Sequence, residues 1–82
     1  MKVQVKLLGA LRHHATADAA GTLHLDLPEA SPVQDVIGRL PVPANASYIV
    51  VVNGDRIAPV DLPLRVLKDG DTVSLVPAIK GG

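Results

Sequence analysis

The residues best suited to chemistry in this 82-residue chain are the last two, Gly81 and Gly82. Because glycine has no side chain, a segment that ends in two glycines can pass through a channel too narrow for bulkier residues. If Gly82 ends the mature protein, it presents a carboxylate, which is a poor electrophile until ATP adenylates it to a mixed anhydride. A sulfur or nitrogen nucleophile can then attack the Gly82 carbonyl carbon. The alternative is a frayed end without function, and residue chemistry alone leaves both interpretations open.

Other reactive side chains are few. The chain has no cysteine, which excludes disulfides, thiolate chemistry and cysteine-based metal sites. His13 and His14 are adjacent and point in divergent directions on most backbones, and no carboxylate stands at ligand spacing beside them. We therefore expect these residues and His24 to be exposed polar side chains, with no bound metal or cofactor. The protein is not expected to be a catalyst alone, so any part in catalysis is that of a subunit or a substrate.

Two short glycine motifs have structural interpretations. Asp69-Gly70-Asp71 resembles a fragment of a calcium loop but lacks the downstream bidentate glutamate and the ligand count, which favours a turn before a strand. Asn53-Gly54 lacks the glycine-rich, lysine-bearing pattern of a phosphate loop and predicts a tight turn between two strands.

The composition excludes several classes of partner. Eight basic and eight acidic residues balance, with a sequence pI near 6.8, so no basic field is available for nucleic acid or an anionic membrane. Tyr48 is the only aromatic residue, which argues against base stacking. No apolar run approaches the ~18 residues of a membrane span, and no signal-peptide pattern opens the chain. We expect a cytoplasmic protein.

Five segments carry strand signals, either strict alternation of apolar and polar residues or a β-branched run. The run at residues 48–52 predicts a central strand that is covered for much of its length. The segments are residues 2–7, 22–27, 48–52, a short return strand at 56–58, and 72–76.

One helix is predicted after the second strand. Ser31 suits the N-cap, Pro32 the first helical position, and Gln34 completes a capping box with Ser31. An apolar stripe follows at i, i+3, i+4 and i+7, and prolines 41 and 43 end the helix after about three turns. Residues 64–67 fit either a helical turn or irregular chain that covers the core.

The order strand, strand, helix, strand, short strand, strand predicts an α+β architecture. A first hairpin, one helix packed on one face of a mixed sheet of about five strands, and a last strand beside the first give a β-grasp, or ubiquitin-like, layout. Residues 1–82 form a single domain in this interpretation, and residues 77–82 form a flexible C-terminal tail that ends in Gly-Gly.

The sequence also resembles a known family, the ubiquitin-like sulfur carriers, and within it the small subunit of molybdopterin synthase. The resemblance spans nearly the whole chain, and its most specific part is the C-terminal signature with the two glycines. The matching segments are residues 8–12, 28–40 with Val33, Asp35, Val36 and Ile37, 52–54, and 67–77 followed by Gly81-Gly82.

This resemblance implies a function for the tail. The Gly82 carboxylate would be adenylated by an ATP-dependent, ubiquitin-activating-type adenylyltransferase, converted to a thiocarboxylate, and used to deliver sulfur inside the large catalytic subunit of molybdopterin synthase. The acceptor would be the pyranopterin precursor of the molybdenum cofactor. The resemblance further implies that Ile79, Lys80 and Gly81 thread into the partner. The docking residues would be Val76, Pro77 and Ala78.

Two alternatives stay open at this stage. The first keeps the tail chemistry and changes the acceptor to thiamine, another sulfur metabolite or a tungsten-enzyme pathway. The second is a protein modifier, which would form an isopeptide bond from Gly82 to a target lysine, or a binding module that uses only the β-grasp surface.

Overall fold

The computed structural model describes residues 1–9, 11, 22–40, 42 and 47–78. These residues form one five-stranded sheet and one α-helix, joined by turns and a short 3-10 helix. In chain order the elements are β1 (Lys2–Leu7), β2 (Thr22–Asp26), α1 (Val33–Gly38), β3 (Tyr48–Val52), β4 (Asp55–Ile57), the 3-10 helix (Pro59–Asp61) and β5 (Thr72–Pro77).

The sheet has the strand order β2-β1-β5-β3-β4. β1 and β5 pair in parallel at its centre, whereas the β1–β2, β3–β5 and β3–β4 pairs are antiparallel. The predicted pairing of the last strand beside the first is therefore confirmed. This mixed sheet with one helix is the β-grasp fold that the element order predicted.

The core lies between one face of the sheet and α1. Inward positions alternate along the strands, as the period of two requires, and the helix contributes Val33 and Val36. No aromatic side chain is fully buried among the described residues, so packing depends on branched aliphatic side chains. The residues that are essentially inaccessible to solvent are Val3, Val5, Leu7, Val33, Val36, Val52, Leu67, Val73 and Leu75.

The predicted capping box does not form. The Ser31 hydroxyl donates instead to the Pro28 carbonyl at 2.7 Å, and α1 begins at Val33 with no side-chain cap. The Val33 and Gln34 amides donate to backbone carbonyls of residues 65 and 62, at 2.9 and 3.0 Å. The first orphan amides of the helix are therefore capped by a distant segment of the chain, which leaves the serine free to close its own turn.

The helix is also shorter than the predicted three turns, with six residues. After Gly38 the chain tightens, because the Arg39 and Leu40 amides donate to the carbonyls of Val36 and Ile37, three residues back. Such i→i+3 bonds end an α-helix while they still satisfy its last carbonyls. Leu40 remains buried at the end of the predicted apolar stripe.

Residues 64–67 form irregular chain across the start of the helix. Val66 makes a single antiparallel bridge with Pro32, and the Leu67 amide donates to the Ser31 carbonyl at 2.9 Å. Leu67 is 1% exposed, so this segment covers the core rather than extending into solvent. The sequence left open whether residues 64–67 form a helical turn or irregular chain that covers the core, and the structure contains the irregular chain.

Candidate functional site

The candidate site lies at the end of the sheet where β5 finishes. Because β1 and β5 are parallel, their carboxyl ends are on the same side, and Leu7 pairs with Leu75 there. β3 is antiparallel to β5 and begins at this end, where Tyr48 pairs with Pro77. The last strand therefore ends at an edge of the sheet that is formed by β1, β3 and β5.

The sheet holds the first part of the segment that was predicted to be a flexible tail. Pro77 is the last residue of β5 rather than the first of the tail, and the Ala78 amide donates to the Ser47 carbonyl at 3.2 Å. Proline is tolerated here because the end of a strand need not donate every ladder hydrogen bond. The remaining site residues, Ile79, Lys80, Gly81 and Gly82, lie outside the described residues.

Pro77 is positioned by a close contact with Gly9, in the turn after β1. Gly9 has φ of +56°, in the left-handed region, and a Cβ at this position would lie 2.8 Å from the Pro77 Cγ. The Leu8 amide donates to the Leu75 carbonyl at 3.1 Å, which holds this turn beside β5. Glycine is therefore required at position 9 both for its backbone conformation and for the space that Pro77 occupies.

We expect Gly9→Ala to displace Pro77 and destabilise the fold. The left-handed conformation alone costs a non-glycine residue about 1–2 kcal/mol, and the clash with Pro77 adds to this. Gly70→Ala is the matched control, because Gly70 also has a positive φ, +86°, but nothing lies within 4 Å of its added Cβ. Thermal unfolding should show a larger loss for Gly9→Ala. Equal losses would show that the Pro77 contact contributes nothing.

Val76 lies on the face of the sheet opposite the helix. It pairs with Ile49 of β3, and Val51 lies on the same face one pleat further along that strand. All three side chains are half-buried by their neighbours in the sheet. We call Ile49, Val51 and Val76 the open-face patch, an apolar surface that adjoins the point where the chain leaves the sheet.

Ile49 and Val51 are surface residues that the sequence pattern does not predict. The β-branched run of β3 predicts a strand covered for much of its length, whereas β3 is half-buried at these two positions and buried only at Val50 and Val52. One helix can cover only one face of a sheet. That helix count was the available signal for an uncovered apolar face.

The described residues contain no cluster of side chains that suggests a metal centre. They include no group of three or more His, Cys, Asp and Glu that could hold a metal ion, and His24 is exposed on β2. His13 and His14 lie outside the described residues. A surface pocket of about 260 Å³ lies beside the start of β3. Tyr48 and Arg56 supply its side-chain polar groups.

The Asn53-Gly54 turn and the Asp69-Gly70-Asp71 turn bind each other at the opposite end of the sheet. The Asn53 side-chain amide donates to Asp71 Oδ1 at 2.9 Å, and its carbonyl oxygen accepts from the Thr72 amide at 2.9 Å. Asp71 Oδ2 accepts from the Lys68 amide at 2.8 Å. These polar groups are used to join two turns, which agrees with the structural interpretation of both motifs.

The same contacts lower the pKa of Asp71. Partial desolvation raises it, but hydrogen bonds from the Lys68 amide and the Asn53 side chain, with the positive charges of Arg65 and Lys68, outweigh that effect. A carboxyl group whose pKa is lower in the folded state stabilises the fold above its unfolded pKa. That stabilisation is lost as the pH falls through the folded pKa.

We expect Asp71→Ala to lower the free energy of unfolding at pH 7 by about 1–2 kcal/mol, since two hydrogen bonds to a charged but accessible group are lost. Below about pH 4, the unfolded pKa of aspartate, the difference from the original protein should shrink as Asp71 becomes protonated. Urea unfolding across this pH range measures both. Asp69→Ala is a poor control because Asp69 Oδ1 accepts from the Lys2 amide. Asp61→Ala serves instead, and a pH-independent loss for Asp71→Ala would contradict the assignment.

Comparisons with known proteins support a family assignment. The model of the ThiS family matches residues 5–82. A sequence search among curated proteins gave no significant match.

No helix in the described part of the chain is both long and apolar enough to cross a membrane.

Several solved structures share the fold. A putative molybdopterin converting factor, subunit 1, from Pyrococcus furiosus is 26% identical over 95% of this chain and 98% of its own, with a TM-score of 0.74. The small archaeal modifier protein 1 from Methanosarcina acetivorans is 22% identical over 99% and 96%, with a TM-score of 0.70. One chain of a complex of subunits 1 and 2 of molybdopterin-converting factor from Helicobacter pylori is 21% identical over all of this chain and all of its own, with a TM-score of 0.65.

Proposed function

Because the chain belongs to the ThiS family of ubiquitin-like sulfur carriers, we propose that it carries sulfur as a thiocarboxylate on Gly82. The observation that carries this proposal is the extent of the family match, which continues through the tail to residue 82. The fold supports it, because a hydrogen bond from the Ala78 amide fixes the chain at the end of the sheet, and Gly82 follows four residues later in the sequence. Fully extended, four residues span about 13 Å, enough to enter a partner's active site.

The proposed chemistry needs two steps outside this chain. A carboxylate oxygen of Gly82 attacks the α-phosphorus of ATP on an adenylyltransferase of the ubiquitin-activating type, and pyrophosphate leaves. A sulfur nucleophile at the oxidation level of sulfide, such as hydrosulfide, then attacks the Gly82 carbonyl carbon. The C–O bond to AMP breaks, AMP leaves with the bonding electron pair, and loss of the S–H proton gives the thiocarboxylate. This chain contributes the carboxyl group and its presentation, with ATP used by the partner.

For the acceptor we favour the pyranopterin precursor of the molybdenum cofactor. The partner in that reaction is the large catalytic subunit of molybdopterin synthase. The Helicobacter pylori complex, which contains subunits 1 and 2 of molybdopterin-converting factor, supports this pairing. Val76, Pro77 and Ala78 would dock against the large subunit, while Ile79, Lys80 and Gly81 would thread toward its active site. We propose that the protein acts in the cytoplasm. Thiamine, another sulfur metabolite or a tungsten-enzyme pathway are alternative destinations for the same sulfur.

A second candidate function is protein modification. The similarity to the small archaeal modifier protein 1 favours it, because the same activated Gly82 carbonyl can be attacked by a lysine amine instead of a sulfur donor. The product would be an isopeptide between Gly82 and a target protein. Its signature is a ladder of conjugates in cells, with a Gly-Gly remnant on lysine after digestion with trypsin, which cleaves after Lys80.

The test is the mass of the untagged protein after incubation with ATP, a sulfur source and the activating enzyme of the same organism. We expect an increase equal to the replacement of one oxygen by sulfur. Oxidation of Met1, the only methionine, adds nearly the same mass. The increase must therefore be located on the peptide released by cleavage before Asp71, which carries Gly82 and lacks Met1. No increase with an enzyme that is active on another carrier would contradict the proposal.

The acceptor is tested by adding the charged carrier to candidate acceptor systems. Loss of sulfur from Gly82 with the large molybdopterin synthase subunit and its pterin precursor, but not with a thiazole-forming enzyme, would support the molybdenum pathway. The opposite pattern would support thiamine. If neither acceptor system receives sulfur from Gly82, and Gly82 is instead found in isopeptide bonds with lysines of other proteins, the result would favour the modifier.

A further inference from the structure

Four directly paired residues form a row across the open face of the sheet. Lys6 of β1 pairs with Ser74 of β5, Ser74 pairs with Val51 of β3, and Val51 pairs with Arg56 of β4. Directly paired residues place their side chains on the same face. We call Lys6, Ser74, Val51 and Arg56 the charged row.

The charged row has a cation at each end and an uncharged centre. Three strand spacings of about 4.8 Å separate Lys6 from Arg56, so their backbones are about 14 Å apart. Ile49 and Val76 lie beside the centre of the row, on the side from which the chain leaves toward Gly82. The row and the open-face patch therefore form one continuous surface.

Both cations are exposed, and neither forms an ion pair with another described residue, although Asp55 and Asp61 line a surface pocket together with Arg56. The ion pairs there involve Arg65 with Asp55 and the N-terminal ammonium group with Asp26 and Glu29. Asp55 is next to Arg56 in the sequence, but it pairs with the buried Val52. It therefore lies on the face of the sheet that the helix covers, opposite the face of Arg56. Asp26, the carboxylate of β2 on the open face, lies across from Lys2 at the far end of the sheet.

We infer that the charged row docks an acidic surface of the activating enzyme, with carboxylates about 14 Å apart on either side of an apolar centre. This inference rests on the proposed function, and it holds for every acceptor considered above because each requires activation of Gly82. The chain has no net charge, so steering toward an acidic partner depends on the placement of these two cations rather than on total charge.

The test measures association of the full chain with the immobilised activating enzyme at ionic strengths from about 0.01 to 1 M. The Debye length falls from about 30 to 3 Å over this range, so charge steering is progressively screened. We expect the association rate constant of the original protein to fall about tenfold or more. The double variant Lys6→Glu/Arg56→Glu should associate at least about tenfold more slowly at low ionic strength and show little further loss with salt.

The matched control is Arg39→Glu/Lys68→Glu, which changes the net charge by the same amount at exposed positions outside the row. We expect it to keep most of the original rate, and thermal unfolding confirms that each variant is folded. Equal slowing by both double variants would show that net charge sets the rate and would overturn the inference. The inference would also be overturned if association did not depend on ionic strength, or if the original protein did not associate with this enzyme.

The outcome at Gly82 separates this inference from the proposed function. Charge-dependent association without a mass increase on Gly82 would support docking through the charged row and contradict the proposed formation of a thiocarboxylate on Gly82. A normal mass increase, together with an association rate that does not change in the Lys6→Glu/Arg56→Glu variant, would contradict the role of the charged row but not the proposed function.

Discussion

Deletion of Gly82 is expected to abolish thiocarboxylate formation and sulfur transfer completely, while the melting temperature stays almost unchanged. The reacting carbonyl is lost from its position, because the new terminal carboxylate is one residue short of the partner's active site, by about 3.5 Å. In contrast, the buried core of the described residues extends along the chain only as far as Leu75. Intact mass after activation and thermal unfolding measure the two effects separately.

Lys80→Ala is the matched control for the deletion, since it changes the tail and keeps both glycines. We expect it to acquire sulfur with at most a modest loss of rate. Sulfur transfer that survives in the deletion variant would contradict the assignment of Gly82. Equal loss in both variants would show that the tail acts through its general sequence and not through its last carbonyl.

Val76→Asp is expected to weaken binding to the large subunit by roughly 30-fold or more. A carboxylate at this position would be desolvated in the interface without a partner, and an unpaired charge buried in an interface costs about 2–5 kcal/mol. The fold should survive, because Val76 is only half-buried and lies on the face without a helix. Calorimetric titration with the large subunit of the same organism measures the affinity.

Val60→Asp is the control for this second experiment. Val60 is 76% exposed on the 3-10 helix, outside the open-face patch, so the same change of charge should leave binding nearly unaffected. If Val76→Asp binds as the original protein does, the patch is not the docking surface. If both variants lose affinity, the loss follows from net charge instead.

Local patterns predicted most of the strands. β1 and β3 have the predicted bounds, while β2 ends one residue earlier, β4 both begins and ends one residue earlier, and β5 extends through Pro77. Strand periodicity is a property of neighbouring residues, and it is read without knowledge of the fold. The ends of a strand depend on where its partner ends, which explains why the errors occur there.

The helix start shows the limit of such patterns. Ser31 and Gln34 have the types and spacing of a capping box, yet carbonyls of residues 62 and 65 reach the helix amides first. Those carbonyls come from a segment about thirty residues later in the chain. A local motif is therefore replaced whenever tertiary structure supplies the same hydrogen bonds.

The sequence by itself determined the strands, the α-helix, the β-grasp order and the Gly81-Gly82 motif, because these depend on residue types at short spacing. Only the tertiary structure decided that Gly9 must leave space for Pro77, that Ile49 and Val51 join Val76 on the open face, and that Lys6 and Arg56 stand in one row. These features depend on strand register. Register brings together residues far apart in the chain, and no local pattern contains it.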